Sequence, residues 1–231
     1  MSKKTRASLK IALVGARGRM GVEIQKLAGA SGIQIESTID SVRDWKNVVP
    51  KNVDLVMDFS SPQGLSEAMR WCVAHGKPLV SGSTGLTAKE HREIKASAKK
   101  IAILYSGNMS LGVAVFSLMI RSLEAIRDWD FQIEEAHHNK KKDRPSGTAL
   151  LLQDKLIHVV GRKVPDPQSI RGGGVPGIHT LWAMGPEETL VVQHTAFNRQ
   201  VFARGALKAA LWLFDKKQAG LYDLSDLYIK I

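Results

Sequence analysis

The segment from Glu135 to Ala149 holds the densest group of side chains that can transfer protons or bind anions. Two adjacent histidines, His137 and His138, are followed by the lysine run 140–142 and by a turn at Pro145-Ser146-Gly147. Histidine and lysine can donate protons or hold carboxylates. A lysine run is also typical of a solvated basic loop, so residue types alone leave a functional loop and a plain surface loop open.

The end of this segment is predicted to enter a helix at Thr148. Gly147 and Thr148 would then present backbone N–H groups and a hydroxyl at a helix N-terminus, which suits a carboxylate. A metal site is not expected here. Neighbouring histidines on a strand face opposite sides, and no Cys or Asp partner has ligand spacing.

A second candidate site is the glycine-rich turn G-x-x-G-x-x-G formed by Gly15, Gly18 and Gly21. It lies between a short apolar strand and a helical pattern, as does the dinucleotide fingerprint G-x-G-x-x-G, although the spacing is a variant. Asp40 ends the next strand, where an acidic side chain can accept hydrogen bonds from ribose hydroxyls. A plain βα turn with a surface aspartate is the alternative. The turn residues predicted to contact a cofactor are Gly15, Ala16, Arg17, Gly18, Arg19 and Met20.

The elements that would position these residues alternate between strands and helices in the first half of the chain. Strands are predicted at 10–14, 33–39, 53–59, 79–81 and 101–105, and helices after Gly21, at 66–75 and at 87–100. This alternation predicts an α/β fold with a Rossmann-type, doubly wound parallel sheet.

After Gly112 the pattern changes to a mixed α+β arrangement. Helices are predicted at 113–126, 150–160 and 203–215, and strands at 131–136, 178–184 and 189–195, the last two as an antiparallel pair. We therefore expect a dinucleotide-binding domain at 1–108. The last helix could pack on either domain, and we expect 205–231 to pack back on the first. An α+β second domain with a mixed sheet is expected at 109–204. Trp182 is predicted to pack in a core, and His179 and His194 to be structural.

Composition and charge narrow the function classes. The 231 residues include 44% hydrophobic and 24% charged residues with a formal net charge of +11, which fits a globular protein. The charge fits nucleic-acid binding, or an anionic small substrate with a phosphorylated cofactor. The basic residues are scattered, at the N-terminal tail, 99–100, 140–142 and 216–217.

No apolar run is long enough to span a membrane, no secretory signal is expected, and the single Cys72 indicates a reducing cytoplasm.

Taken together, these motifs resemble the dihydrodipicolinate reductase family, also called 4-hydroxy-tetrahydrodipicolinate reductases, from about Lys10 to the C-terminus. The most specific is E-x-H-H-x-x-K-x-D-x-P-S-G-T-A at 135–149. The others are G-x-x-G-R-M-G at 15–21, D-F-[ST]-x-P at 58–62, a G-T-T-G equivalent at 82–85, and further matches at Arg171, 177–180, 194–196, Arg199 and 202–206.

The resemblance implies that NADH or NADPH delivers hydride to a cyclic dicarboxylate in lysine and diaminopimelate synthesis. His137 would be the general acid/base, Lys141 a proton donor, and His138, Gly147 and Thr148 substrate contacts. It also implies a homotetramer acting on a small molecule, without a nucleic-acid or membrane partner. The residues implied to line the nicotinamide side are Gly82, Ser83, Thr84, Ser106, Gly107, Asn108 and Met109.

Departures from the family pattern lie on the cofactor side. Ser83 replaces a threonine, Met109 a frequent phenylalanine, and the stretch from Asp40 to Asp58 is short. Because Ser41 rather than an arginine follows Asp40, we expect both cofactors to be used, with NADH at least as good as NADPH. Two alternatives remain: a non-catalytic NAD(P)H sensor on the same fold, and a nucleic-acid-binding protein, which the 6% aromatic content and the lack of aromatics within the lysine run disfavour.

Overall fold

The computed structural model describes residues 8–216 and 218–228. The basic N-terminal stretch 1–7 and Lys217 lie outside the described residues. The chain divides into two compact units, one of Met1–Met109 with Phe202–Ile231, the other of Ser110–Val201. No helix within the described ranges is long and apolar enough to cross a bilayer.

The first unit is built on a six-stranded sheet whose strand pairs are all parallel. Its order is β10-β5-β4-β3-β1-β2. Strand β2 lies on one side of β1, and β3, β4 and β5 follow one another on the other side, so the strand order reverses between β1 and β3. Ligands of such sheets bind at the carboxyl ends of the strands where this reversal occurs. The strands are β1 (Leu9–Val14), β2 (Ile33–Ile39), β3 (Leu55–Asp58), β4 (Leu79–Ser81), β5 (Ala102–Tyr105) and β10 (Gly220–Tyr222).

The helices of this unit begin and end at residues suited to those positions. In α2, Ser61 accepts a hydrogen bond from the backbone N–H of Gly64, Pro62 begins the helix, and Gly76 ends it in the left-handed region. The helices are α1 (Arg19–Ala28), α2 (Pro62–His75), α3 (Ala88–Ala98) and α6 (Gln200–Lys216), whose first two residues belong to the second unit. Short 3-10 turns occupy Gly29–Ser31, Val42–Asn47, Pro50–Asn52 and Leu224–Leu227.

The second unit is a four-stranded mixed sheet with two helices. The strands are β6 (Asp130–His137), β7 (Gln168–Arg171), β8 (Ile178–Met184) and β9 (Thr189–Thr195), in the order β7-β6-β8-β9. The β6/β7 pair is parallel, and the β6/β8 and β8/β9 pairs are antiparallel. The helices are α4 (Leu111–Arg121), followed by a 3-10 turn at Ser122–Ile126, and α5 (Gly147–Val160). The buried face of β6, including Phe131 and Ile133, forms a core with apolar residues of α4, α5 and β8.

The fold class expected from the sequence is confirmed, with corrections to individual elements. The helix predicted at 113–126 is α-helical only to Arg121. The polar strand β7 and the three-residue strand β10 were not predicted, because neither has a hydrophobic pattern of useful length. Trp182 was expected in a core but is 38% exposed, since it lies on the open face of the second sheet.

Candidate active site

The second unit buries a carboxylate and an imidazole side by side at the end of β6. Side chains two residues apart on a strand share a face, so Glu135 and His137 point the same way. Glu135 is 0% and His137 8% exposed. The Nδ1 atom of His137 lies 2.5 Å from Oε2 of Glu135.

Glu135 is held from its other side by the unpredicted strand β7. The parallel register places Ser169 beside Glu135 and Arg171 beside His137. Arg171 Nη1 and Nη2 donate to the two carboxylate oxygens at 2.7 and 2.6 Å, and the Ser169 hydroxyl donates at 2.7 Å. Burial alone would raise the pKa of Glu135, but these bonds and the one from His137 lower it to about 2.

The ionised carboxylate determines which nitrogen of His137 carries the proton. Because a carboxylate only accepts hydrogen bonds, Nδ1 of His137 must be the N–H donor. The other ring nitrogen, Nε2, lies next to Gly177, where a Cβ would come within 3.1 Å of it. Burial lowers the pKa of His137, and the hydrogen bond to Glu135 opposes that shift. The unprotonated Nε2 is thus the ring nitrogen that can accept and return a proton.

Lys141 lies in the turn that follows β6. Its backbone N–H donates to the carbonyl of His138 at 3.1 Å, and its Nζ lies 2.8 Å from Oδ2 of Asp143. The positive charge of Lys141 is near enough to lower the pKa of His137. His137 and Lys141, the two residues predicted to transfer protons, are therefore close enough for their charges to interact.

Two of the residues predicted to bind substrate begin α5, and the third, His138, directly follows β6. His138 is partly buried, and its Nδ1 has no hydrogen-bond partner within residues 8–216 and 218–228. Gly147 is the first residue of α5, and Thr148 the second. Ser146 caps the helix by accepting from the N–H of Ala149, and the first turn has no acidic residue, so this helix end favours an anion. The carboxylate of Asp143 already lies there, and a hydrogen bond from the N–H of Gly147 contributes to its lowered pKa.

His179 adjoins this group, although the sequence suggested only a structural role. It is 4% exposed, its Nε2 lies 3.2 Å from the Ser146 hydroxyl, and its ring centroid is 5.2 Å from that of His137. Burial is the main cause that lowers the pKa of His179 to about 3, and a proton on His137 would oppose a second proton on His179.

This buried neutral histidine predicts acid-sensitive stability. Between the ordinary histidine pKa of about 6.5 and about 3, the unfolded chain binds a proton at His179 that the folded chain does not. Folding stability should therefore fall as pH drops through this window, by up to about 1.4 kcal/mol per pH unit. Urea unfolding of the native protein and of His179→Gln at pH 7, 6, 5 and 4 measures the effect. Equal slopes for both proteins would contradict it.

In the first unit, the glycine turn fits a dinucleotide. Helix α1 begins after Gly18 with no side-chain cap and no acidic residue in its first turn, so its N–H groups can receive a pyrophosphate. Gly15 has φ +79°, and a Cβ on it would lie 2.5 Å from the Phe59 carbonyl oxygen. A Cβ on Gly21 would lie 2.3 Å from the Gly15 oxygen. Bare backbone is therefore required for the turn to close.

Asp40 faces a cleft of about 300 Å³ beside the ends of β1 and β2. Its Oδ1 accepts the backbone N–H of Arg17 at 3.0 Å, which joins the predicted ribose contact to the glycine turn. Asp44 accepts the N–H groups of Asp40 and Ser41 at 2.9 and 2.8 Å. The cleft is lined by, among others, Gly15, Asp40, Ser41, Trp45, Gln63 and Glu67.

The predicted nicotinamide-side residues follow β4 and β5. The Ser83 hydroxyl donates to buried Asp58 at 2.8 Å, so it serves the internal network rather than a ligand. Gly82 lies against the Phe59 ring, and Thr84 is exposed. After β5, the Ser106 hydroxyl donates to the Asn108 carbonyl at 2.8 Å. Gly107 has open space around it, and Met109 is 3% exposed.

Three residues of the site, Glu135, Ser169 and Arg171, were not predicted from the sequence to have a chemical role. Glu135 had a usable signal, because E-x-H on a strand places both side chains on one face. Arg171 was noted only as a match to the family pattern, and Ser169 had no signal, since its position depends on β7.

Comparisons with known proteins agree with this geometry over almost the whole chain. The profile described as dihydrodipicolinate reductase, N-terminus, matches residues 9–109. The profile described as dihydrodipicolinate reductase, C-terminus, matches residues 112–228. The chain belongs to the dihydrodipicolinate reductase family.

Relatives within the dihydrodipicolinate reductase family match along their full length. The 4-hydroxy-tetrahydrodipicolinate reductase of Bdellovibrio bacteriovorus is 45% identical over 220 residues, covering 94% of this chain and 95% of the relative. That of Zymomonas mobilis is 38% identical over 248 residues, covering 95% and 97%. The solved dihydrodipicolinate reductase of Paenisporosarcina, described as dipicolinate-bound, has a TM-score of 0.80 at 18% identity, covering 95% and 99%.

Membership in the dihydrodipicolinate reductase family makes this chain an NAD(P)H-dependent oxidoreductase of lysine and diaminopimelate biosynthesis. When bound, the cofactor supplies hydride, and the glycine turn of the first unit has the backbone such a cofactor requires. The predictions of family, enzyme class and cofactor type are confirmed.

Proposed function

We propose that this chain reduces 4-hydroxy-tetrahydrodipicolinate to tetrahydrodipicolinate. The observation that carries the proposal is the buried Glu135–His137 pair, with Nε2 of His137 left unprotonated and Lys141 nearby. A reduction of a cyclic imine needs a proton as well as hydride, and such a pair can supply it.

In this proposal, the residues of the second unit bind the substrate and move protons. The Gly147 and Thr148 end of α5 holds one substrate carboxylate, and His138 contacts the substrate. Lys141 donates the proton that balances hydride addition, and His137 passes protons through Nε2. Overall, the substrate loses water and gains hydride and one proton. The dianionic substrate accounts for the clustered lysines without nucleic acid.

The remaining predicted contacts belong to the cofactor. We assign the pyrophosphate to the turn from Gly15 to Met20 and the adenosine ribose to Asp40. The loops at 82–84 and 106–109 are assigned to the nicotinamide side, where the Ser83 side chain would support the loop through Asp58 rather than touch the cofactor. This division makes residues 1–108 with 205–231 the cofactor-binding part, and 109–204 the substrate-binding part.

A direct assay tests the reaction. NADH or NADPH oxidation is followed at 340 nm while a synthase generates substrate from pyruvate and aspartate semialdehyde. We expect oxidation only when both synthase substrates are present. Binding of NADH without any substrate-dependent oxidation would contradict the proposal and favour the sensor alternative.

Both cofactors should work, with NADH at least as good as NADPH. Asp40 can accept from a ribose hydroxyl, and the carboxylates of Asp40 and Asp44 would repel a 2′-phosphate. Asp40→Asn should therefore raise the ratio of NADPH to NADH kcat/KM at least about tenfold, since each 1.4 kcal/mol is tenfold. Fluorescence titration of both cofactors checks the same shift in Kd. Glu36→Gln on β2 is the control, and an equal change there would refute the role of Asp40.

A homotetramer is also proposed, assembled through the open face of the second sheet. On that face Ile170, Trp182, Met184 and Val191 are 50%, 38%, 37% and 44% exposed, and apolar groups on an open sheet face favour burial against a partner. Light scattering should give four chain masses, and Trp182→Lys should reduce the assembly. A monomer would contradict it.

A cytoplasmic location is proposed from the pathway and from the free, buried Cys72.

A further inference from the structure

We propose that Glu135 and Arg171 form a positioning pair that fixes the ring of His137 and the loop that carries Lys141. This inference rests on the proposed function, because it concerns the same proton-transferring residues. Neither residue is assigned contact with substrate or cofactor. They would act through the groups they hold.

The first support is the degree of burial and pairing. The side chains of Arg171 and Glu135 are 2% and 0% exposed, and Arg171 binds both carboxylate oxygens in the bidentate geometry that gives the strongest directional control. Glu135 consequently stays charged across the physiological range. A permanently charged acceptor at Nδ1 holds His137 in one tautomer and one ring orientation.

The second support is that the same pair binds the backbone at two points between Lys141 and helix α5. Arg171 Nη2 donates to the backbone carbonyl of Asp143 at 2.6 Å. The backbone N–H of Ser146 donates to Oε1 of Glu135 at 3.2 Å. Displacing the pair would therefore move His137, the Lys141–Asp143 turn and the start of α5 together.

A purely structural ion pair is the competing explanation. Buried ion pairs can often be replaced by neutral groups with no loss of stability, whereas removing one partner alone strands a buried charge. The informative variant is therefore the double change Glu135→Gln with Arg171→Met, which leaves no unpaired charge. The glutamine amide introduced by Glu135→Gln can accept from Nδ1–H through its oxygen or donate to Nδ1 through its NH2 group, so it no longer selects the tautomer.

The experiment compares the full-length native protein, the double variant and Gln153→Leu as a control. Gln153 is a buried polar residue of the same unit that bonds to the Pro165 carbonyl rather than to the Glu135–Arg171 pair. The readouts are kcat, KM, the Kd of NADH, the pH dependence of kcat, and the 15N shifts of His137.

For the double variant, we expect kcat to fall at least about tenfold, in line with the effect of removing groups that orient a functional histidine. KM and the NADH Kd should stay within about threefold. The 15N spectrum should change from an Nδ1–H imidazole to a mixture of tautomers. Glu135→Gln alone should move the low-pH limb of kcat to lower pH, because a hydrogen bond that raises the pKa of His137 is lost.

The outcomes separate the two proposals. A folded double variant with native kcat and a native tautomer would overturn the positioning role and leave the proposed function intact. A native protein without substrate-dependent oxidation would overturn the proposed function, while the 15N comparison would still decide whether Glu135 sets the tautomer. A control that loses as much kcat as the double variant would also count against the pair.

Discussion

His137→Gln is expected to lower kcat by about 10²- to 10⁴-fold, the usual contribution of a positioned acid or base. Glutamine occupies similar space and can still donate a hydrogen bond to Glu135, but it cannot take up and release a proton. Because His137 lies in the second unit and the glycine turn in the first, the Kd of NADH should stay within about threefold. Lys141→Ala should likewise reduce kcat rather than cofactor binding.

The measurement is steady-state kinetics at 340 nm beside a fluorescence titration with NADH. The control is His158→Gln in the last turn of α5, a histidine without a proposed role, which should keep the native kcat. Near-normal turnover in both His137→Gln and Lys141→Ala would remove these residues from proton transfer, even if the reaction itself were confirmed.

Gly21→Ala, which adds one methyl group to the cofactor-binding turn, is expected to weaken both folding stability and NADH binding strongly. The added Cβ would meet the carbonyl oxygens of Gly15 and Ala16 at 2.3 and 2.5 Å, and backbone atoms cannot move aside as a side-chain tip can. We expect a loss of about 1–3 kcal/mol in the free energy of unfolding. We also expect at least a tenfold weaker Kd for NADH, because the start of α1 must shift.

Gly29→Ala is the matched control at the other end of α1. Gly29 has helical dihedral angles, and a Cβ there meets nothing within 4 Å. The same methyl group should therefore stabilise the protein by about 0.4–1 kcal/mol through the unfolded state, with no change in NADH binding. Urea unfolding and NADH titration of both variants test the pair. Similar behaviour of the two would refute the steric argument.

Much of the first unit could be predicted from its sequence, because β1, β3, β4 and β5 are short apolar runs bounded by polar turns. Parallel strands buried on both faces produce this pattern. The prediction failed where the pattern is short or polar. β10 has only Gly220-Leu221-Tyr222, and it exists because β5 offers it a free edge. β7, Gln168-Ser-Ile-Arg171, likewise depends on its pairing with β6.

The site was predictable where one motif held all the parts and unpredictable where distant segments meet. His137, Lys141, Gly147 and Thr148 lie within one short segment, so local spacing could indicate a proton-transferring loop. Arg171 reaches Glu135 across 36 residues of sequence, and His179 reaches Ser146 across 33. Strand pairing, which no local pattern encodes, creates both contacts.

The sheet order β10-β5-β4-β3-β1-β2 also has a consequence for how the protein is made. The first unit is interrupted in sequence, with Ser110–Val201 inserted between β5 and α6. During synthesis, β1 to β5 therefore leave the ribosome with the outer edge of β5 unpaired, while the whole inserted unit is translated. The second unit is continuous in sequence and can fold first, whereas the six-stranded sheet of the first unit is completed only when Gly220–Tyr222 emerges. A nascent chain arrested before that strand would carry an exposed sheet edge, the kind of surface that chaperones and aggregation compete for.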